Sequence, residues 1–151
     1  MRVSAKTDYA VRAAAELAAS PDGPVKGERL ADSQDIPLQF LEHILLDLKH
    51  AGIVRARRGA KGGYWLAKPA EDVSIAEVIR AVEGPIANVQ SAPPESITYR
   101  GSAEQLQSVW IAVRASLREV LENVSLAELV SGKLPDNVQA LADSKDAWSP
   151  R

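Results

Sequence analysis

A short cationic, glycine-rich segment constrains this chain more than any other feature. Residues 50–68 contain five basic residues and no acidic one. Two β-type runs, Ile53–Arg58 and Tyr64–Ala67, are joined here by the sequence Gly59-Ala60-Lys61-Gly62-Gly63. Short glycine-containing connections between such runs are typical of β-hairpins. The sequence therefore predicts a β-hairpin with a positively charged tip.

Three helices are predicted before the hairpin. The first covers residues 7–19, with Thr7 as its candidate cap, and a short second helix covers about residues 26–33. Pro37 suits the first turn of a third helix, which extends to about His50 and ends at Gly52. The residues that this helix commits to packing are Leu38, Leu41, Ile44, Leu45 and Leu48. A short helix, a tight turn, a longer helix and a cationic hairpin together indicate a helix-turn-helix with a wing.

This arrangement favours DNA binding, because the third helix fits the major groove and its first turns reach base edges. Packing leaves Gln39, Glu42 and His43 available there; glutamine can pair with adenine, glutamate can accept from cytosine, and histidine can donate to guanine. The wing adds cations for phosphates or a narrow minor groove, and glycines that permit close backbone approach or positive φ. These wing residues are Arg57, Arg58, Lys61, Gly62 and Gly63.

The second half of the chain is predicted to carry a dimerisation helix. A capping box at Ser74–Glu77 opens a helix that ends at Gly84, and a second box at Ser125–Glu128 opens a short helix that ends at Gly132. Between them, Ser102 and Gln105 cap a long helix that extends to about Asn123. Its apolar residues step by four and three, which favours a seam between two copies. These are Leu106, Trp110, Val113, Leu117 and Val120, followed by Val124.

The predicted organisation is a winged helix-turn-helix domain over 1–84, a loop over 85–101, dimerisation and short helices over 102–132, and a flexible tail over 133–151. The fold class is mainly α, with one two-stranded hairpin. Net charge supports this division, because residues 1–68 carry +3 and residues 69–151 carry −5. The cationic segment is thus a local footprint for a polyanion on an otherwise acidic chain.

Composition excludes several classes of function. The chain has no cysteine, which removes disulfides, thiol catalysis, cysteine-type zinc sites and cysteine-ligated iron–sulfur clusters. Its two histidines and scattered serines form no arrangement of base, nucleophile and orienting group, so we expect no enzyme. No apolar run could span a bilayer and no export leader opens the sequence, so the expected location is the cytoplasm.

Several segments resemble the Rrf2 family of bacterial winged-helix regulators. They are Arg2–Lys6 with Asp8–Ala10, Ile36–Glu42, Leu48–Val54, Arg58–Tyr64, Ile79–Gly84 and Ser125–Leu129, and the similarity covers about residues 1–132. It implies a homodimer whose long C-terminal helices cross and which binds a pseudo-palindromic operator, and we expect it to act as a repressor. It places base reading on Gln39, Glu42 and His43 and Arg58 in the minor groove; Lys6 and Tyr64, within the matched segments, join the DNA-binding set.

The resemblance also implies a departure from the cluster-sensing members. Those proteins ligate an iron–sulfur cluster through three cysteines in the loop after the Glu-Gly helix end. Here the loop 85–101 has neither cysteine nor histidine, and Asp8, where some members contribute a carboxylate ligand, cannot hold a cluster alone. We therefore expect no cofactor, and a small-molecule or protein effector as the signal, acting by ordering residues 85–101; an idle linker is the alternative.

Two other interpretations remain open at the level of sequence. His43, Asp47 and His50 share one helix face and could bind zinc, which competes with a DNA-facing His43. The chain could also be a dimeric interaction module that has lost DNA binding, in which case it would show no salt-dependent affinity for DNA.

Overall fold

The computed structural model describes residues 2–150. These residues contain seven α-helices and one two-stranded antiparallel sheet. The helices are α1 (Ala5–Ala18), α2 (Gly27–Gln34), α3 (Leu38–His50), α4 (Ile75–Glu83), α5 (Leu106–Leu121), α6 (Leu126–Ser131) and α7 (Asp136–Asp143). The strands are β1 (Val54–Arg57) and β2 (Gly63–Leu66). The order α1, α2, α3, β1, β2 is that of a winged helix-turn-helix, which confirms the predicted fold class. None of the helices in this part of the chain is long and apolar enough to cross a membrane.

Helix α1 is the centre of the core and packs against α3, α4 and α6. Its inner face is built from Ala10, Ala13, Ala14 and Leu17, all essentially inaccessible to solvent. Alanines at helical spacing let neighbouring helices approach closely, and the larger residues of α3 fill the space opposite. These are Leu41, Ile44, Leu45 and Leu48, each fully buried. Helix α3 is therefore held by an entire apolar face.

The hairpin pairs Val54 with Leu66 and Arg57 with Gly63. A further backbone pair attaches its second strand to the segment before α2. The Val25 N–H donates to the Tyr64 carbonyl and the Tyr64 N–H donates to the Val25 carbonyl, both at 2.8 Å. The wing is thus fastened to the helix-turn-helix and does not project as an isolated hairpin.

Gly62 and Gly63 are required by this attachment. A Cβ on Gly62 would lie 1.9 Å from the Arg57 carbonyl oxygen, and one on Gly63 would lie 2.7 Å from that of Val25. Gly63 also adopts a φ of +142°, which residues with a side chain rarely adopt. Both glycines are buried, so their close backbone approach is to the protein's own chain.

Some helix starts differ from those expected. Helix α1 begins at Ala5, because Ser4 is the cap and its hydroxyl accepts the Thr7 N–H at 3.0 Å; Thr7 itself is buried and is not the cap. Helix α5 begins at Leu106 after a 3-10 turn at Gly101–Ala103, with no side-chain cap from Ser102 or Gln105. Leu38, expected to be committed to packing, is 36% exposed at the first turn of α3.

Both predicted capping boxes are confirmed, and they lie side by side. Ser74 and Ser125 each accept a backbone N–H while Glu77 and Glu128 bond back to the cap residue. The Ile75 N–H donates to the Val124 carbonyl at 2.9 Å, which joins the start of α4 to the segment that begins α6. Hydrogen bonds from the backbone N–H and hydroxyl of Ser125 lower the pKa of Glu128. Its carboxylate thus remains charged where the box needs an acceptor.

The loop 85–101 is fastened to α5. The Gln107 amide donates to the Ile97 carbonyl at 2.7 Å, and Arg114 forms an ion pair with Glu95 at 2.6 Å. The loop also contains a 3-10 turn at Pro94–Ser96. These contacts tie the segment to α5, and the hypothesis that a ligand or partner protein acts on residues 85–101 stays a prediction.

The C-terminal segment differs from the frayed tail expected over 133–151. Within its described residues, α7 follows Pro135, and a 3-10 turn at Lys145–Trp148 follows α7. Asp136 lies in the first turn of α7, where a negative charge suits the helix dipole, and Gln139 donates to Asp143 at 2.9 Å along one face. The Trp148 indole donates back to the Ala142 carbonyl. A prediction based on Pro, Asp and Ser content does not account for such local hydrogen bonds.

Candidate nucleic-acid interface

The outer face of α3 carries the three predicted base-reading residues. Gln39, Glu42 and His43 are all exposed, and the residues on the opposite side of the helix are the buried ones. Because residues three and four apart lie on one side of a helix, these three side chains form a continuous polar surface over its first two turns. The structure therefore brings them together as the sequence predicts.

His43 has a hydrogen bond that determines what its ring can offer to DNA. Its Nδ1 lies 2.9 Å from the Gln39 carbonyl oxygen. A carbonyl oxygen only accepts, so Nδ1 carries the proton in this contact and Nε2 faces outward. A neutral ring then accepts through Nε2, as from an adenine or cytosine amino group. The sequence suggested that His43 donates to guanine. Donation from Nε2 would require a ring that is protonated on both nitrogens.

All three cations of the wing, Arg57, Arg58 and Lys61, are exposed, and one of them makes a contact across the turn. The Arg57 guanidinium donates to the Lys61 carbonyl at 3.0 Å, across the turn. Among residues 2–150, no hydrogen bond or ion pair engages the side chains of Arg58 and Lys61, which are both exposed. Arg58 is thus the arginine best placed to enter a narrow minor groove.

Lys26 is a member of this surface that the sequence did not indicate. Its ammonium group donates to the Gly59 carbonyl at 2.6 Å, which joins the segment before α2 to the tip of the wing. The adjacent Val25–Tyr64 pair brings the two segments together. No spacing or motif connects positions 26 and 59, because the contact depends on a tertiary pairing.

A groove of about 490 Å³ separates α3 from the wing. Glu42 and Leu46 line its helical side, and Arg57 and Arg58 line its wing side. Lys26 and Lys49 add two more cations to its rim. Glu42, one of the three predicted base-reading residues, and four cations therefore border one concave surface. Tyr64, half-buried, lines the same groove, and its backbone is occupied by the pair with Val25.

Lys6, which is predicted to bind DNA, makes two contacts within the protein. Its ammonium group donates to the Val82 carbonyl at 2.9 Å and forms an ion pair with Asp47 at 2.8 Å. The first contact satisfies a carbonyl in the last turn of α4, and the second holds the last turns of α3. Lys6 is half-buried and does not belong to the exposed cationic surface.

The zinc hypothesis on α3 finds no support in this geometry. Asp47, its central candidate ligand, is occupied by Lys6, and His43 is turned toward the Gln39 carbonyl. Within the part of the chain that the structure describes, no group of three or more histidine, cysteine or carboxylate side chains is arranged to hold a metal ion.

A second cluster that the sequence did not indicate braces α1 against the helix-turn-helix. The Tyr9 ring meets the Phe40 ring edge-on, with centroids 5.6 Å apart, and the Arg12 guanidinium lies 5.2 Å from the Tyr9 centroid. Arg12 also donates to the Gln34 side chain at 3.1 Å. The cluster therefore joins the end of α2 and the start of α3, on either side of the tight turn.

Comparison with known proteins agrees with this geometry. The family model of Rrf2, described as iron-dependent transcriptional regulators, matches residues 3–132. The chain belongs to the Rrf2 family. It is 46% identical over 144 residues to Rv1287 of Mycobacterium tuberculosis, named as an HTH-type transcriptional regulator, covering 95% of this chain and 89% of that one. It is 31% identical over 132 residues to the HTH-type transcriptional regulator CymR of Bacillus subtilis, covering 87% and 91%.

Solved structures show the same fold. CymR, the global cysteine regulator of B. subtilis, superposes with a TM-score of 0.74 at 29% identity, covering 87% of this chain and 98% of that one. IscR of T. potens superposes with a TM-score of 0.70 at 31% identity, covering 100% and 93%. The chain is thus a DNA-binding transcriptional regulator of the winged helix-turn-helix type, and not an enzyme.

Some members of the family bind an iron–sulfur cluster, as the resemblance implied. The residues of this Rrf2 protein do not suit such a cluster. The sequence has no cysteine, so the thiolate ligands of such clusters are missing. Two carboxylates in the regions concerned, Asp8 and Glu95, are paired with Arg12 and Arg114, respectively. The donor set therefore does not fit a cluster.

The contact from Lys26 to the wing tip predicts a non-additive pair of substitutions. We expect Lys26→Met to weaken DNA binding severalfold, because a loosely held tip presents Arg58 less often. In an Arg58→Ala background the same substitution should change affinity little, since residues that act as one unit are non-additive. A double-mutant cycle measured by fluorescence anisotropy tests this, with Lys133→Met, at an exposed lysine beyond α6, as the charge-matched control. Equal losses in both backgrounds would mean that Lys26 binds DNA independently of Arg58.

Proposed function

We propose that this Rrf2 protein binds a pseudo-palindromic operator as a homodimer and represses transcription from it. In each protomer α3 enters the major groove, and Gln39, Glu42 and His43 contact base edges. The wing lies over the flanking backbone and directs Arg58 into the minor groove. The observation that carries the proposal is the single groove bordered by Glu42 on one side and Arg58 on the other.

The electrostatics of the interface support this mode of binding. Arg58 and Lys61 are exposed at the wing tip, and Lys26 and Lys49 border the groove. Cations that neutralise phosphates release condensed counterions, so affinity falls steeply as salt rises. The acidic second half of the chain disfavours indiscriminate binding elsewhere. Phosphate contacts thus position the protein, and the polar face of α3 supplies selectivity.

Selection of fragmented genomic DNA by the purified protein, at two salt concentrations, tests the proposal. We expect enrichment of one palindromic site, with recovery falling at the higher salt. Glu42→Ala should relax selection at one symmetry-related pair of positions, since a good base contact discriminates by about 1–3 kcal/mol. Arg58→Ala should instead weaken binding at all sites and reduce the slope of log affinity against log salt by about one. A folded dimer that enriches no sequence would indicate an interaction module without DNA binding.

The homodimer is proposed from the surface of α5. This helix has 16 residues and none of them is buried, although apolar side chains recur along it. The predicted seam residues Leu106, Trp110, Val113, Leu117 and Val120 are only partly covered by their own chain, and Val109 beside them is 50% exposed. An amphipathic helix needs an apolar partner surface, and a second copy of α5 supplies one.

A substitution at the exposed edge of this seam separates dimerisation from folding. Val109→Asp should shift the protein toward monomers, because a carboxylate buried in an apolar seam is costly. Its melting temperature as a monomer should change little, because Val109 is exposed within one protomer. Leu141→Asp, at a 59% exposed leucine of α7, is the matched control and should remain dimeric. Sedimentation equilibrium gives the masses; a wild-type monomer, or a Val109→Asp dimer as tight as wild type, would contradict the proposed seam.

A further inference from the structure

The apolar side chain of Leu46 lies on the polar face of α3. Leu46 is 48% exposed, whereas the neighbouring Leu45 and Leu48 are fully buried. It follows Gln39 by seven residues, Glu42 by four and His43 by three. These are the spacings at which side chains share one side of a helix. Leu46 therefore extends the predicted base-reading surface by one turn and contributes nothing to the core.

The surroundings of Leu46 suit a base edge better than a protein partner. It lines the groove between α3 and the wing, with Glu42 beside it and Lys49, Arg57 and Arg58 around it. Such cations bind phosphates, and side chains that reach base edges specify the sequence. An apolar side chain among them has one matching group in the DNA major groove, because the C5-methyl of thymine is the apolar group displayed there.

The other exposed apolar residues at the start of α3 are already engaged. Phe40 packs edge-on against Tyr9 at 5.6 Å between ring centroids. Leu38 directs its Cδ1 toward Gly27, where a Cβ would lie 3.8 Å away. Leu46 lies further along the helix, where it lines the groove together with Glu42.

We propose that Leu46 is a specificity-determining residue that contacts the 5-methyl group of a thymine in each half of the operator. The inference rests on the proposed placement of α3 in the major groove. Four residues of helix advance about 6 Å, and stacked bases are about 3.4 Å apart. Because a helix in the major groove follows the groove and not the DNA axis, the thymine lies within about two base pairs of the base that Glu42 contacts. Leu46 adds shape selectivity for thymine to the hydrogen-bonding selectivity of its neighbours.

Replacing thymine by deoxyuridine removes only the methyl group and so isolates this contact. On the site enriched from genomic DNA, each thymine of a half-site is replaced in turn, together with its symmetry mate. The wild-type protein should lose about threefold to fivefold in affinity per buried methyl at one position and little elsewhere. Leu46→Ala should bind the thymine and deoxyuridine forms of that site equally. Leu141→Ala, at an exposed leucine of α7, should retain the wild-type ratio.

The outcomes separate this inference from the proposed function. If no site is enriched, operator binding itself fails. If a site is enriched but every deoxyuridine substitution leaves wild-type affinity unchanged, Leu46 does not read a methyl group. A thymine preference that persists in Leu46→Ala would assign the contact to another residue and overturn the inference. Because Leu46 is exposed, equal melting temperatures for the two proteins should accompany any of these results.

Discussion

The attachment of the wing to the segment before α2 is the constraint on which the interface depends. Two backbone hydrogen bonds between Val25 and Tyr64 add a third segment to the hairpin edge. They require the absence of a side chain at Gly63, where any Cβ would meet the Val25 backbone. The Lys26 ammonium group extends the same attachment to the tip. Without these contacts α3 and the wing would each be formed, but the distance between them would not be defined.

A defined distance matters because DNA presents its grooves at a fixed spacing. A preorganised pair of elements loses little conformational freedom when it binds, so more of the contact energy appears as affinity. The buried side of α3 anchors one element on α1, and the Tyr9–Phe40 contact braces the turn before it. Lys6 holds the other end of α3 through Asp47. Both ends of the recognition helix are therefore secured by α1.

Much of this architecture follows from local sequence patterns. Apolar residues at three- and four-residue spacing defined the packed side of α3 and thereby the exposed Gln39, Glu42 and His43, and serine–glutamate spacing located both capping boxes. Contacts between distant segments were not accessible in this way. Lys6 illustrates the limit, since nothing in the sequence connects it with the Val82 carbonyl and Asp47, which lie beside it in the fold. Leu46 illustrates it differently, because the sequence left it unassigned and only the folded helix shows it exposed on the side of Glu42.

In the proposed mode of binding, α3 and the wing of one protomer occupy adjacent major and minor grooves. Dimethyl sulfate footprinting on the selected site tests this in one measurement, since the reagent methylates guanine N7 in the major groove and adenine N3 in the minor groove. We expect guanine protection within each half-site and adenine protection on its flank, with the pattern repeated about one helical turn or a multiple of it away. Protection confined to a single groove would contradict this mode of binding, because the geometry at Val25 and Tyr64 would then not define how the protein contacts DNA.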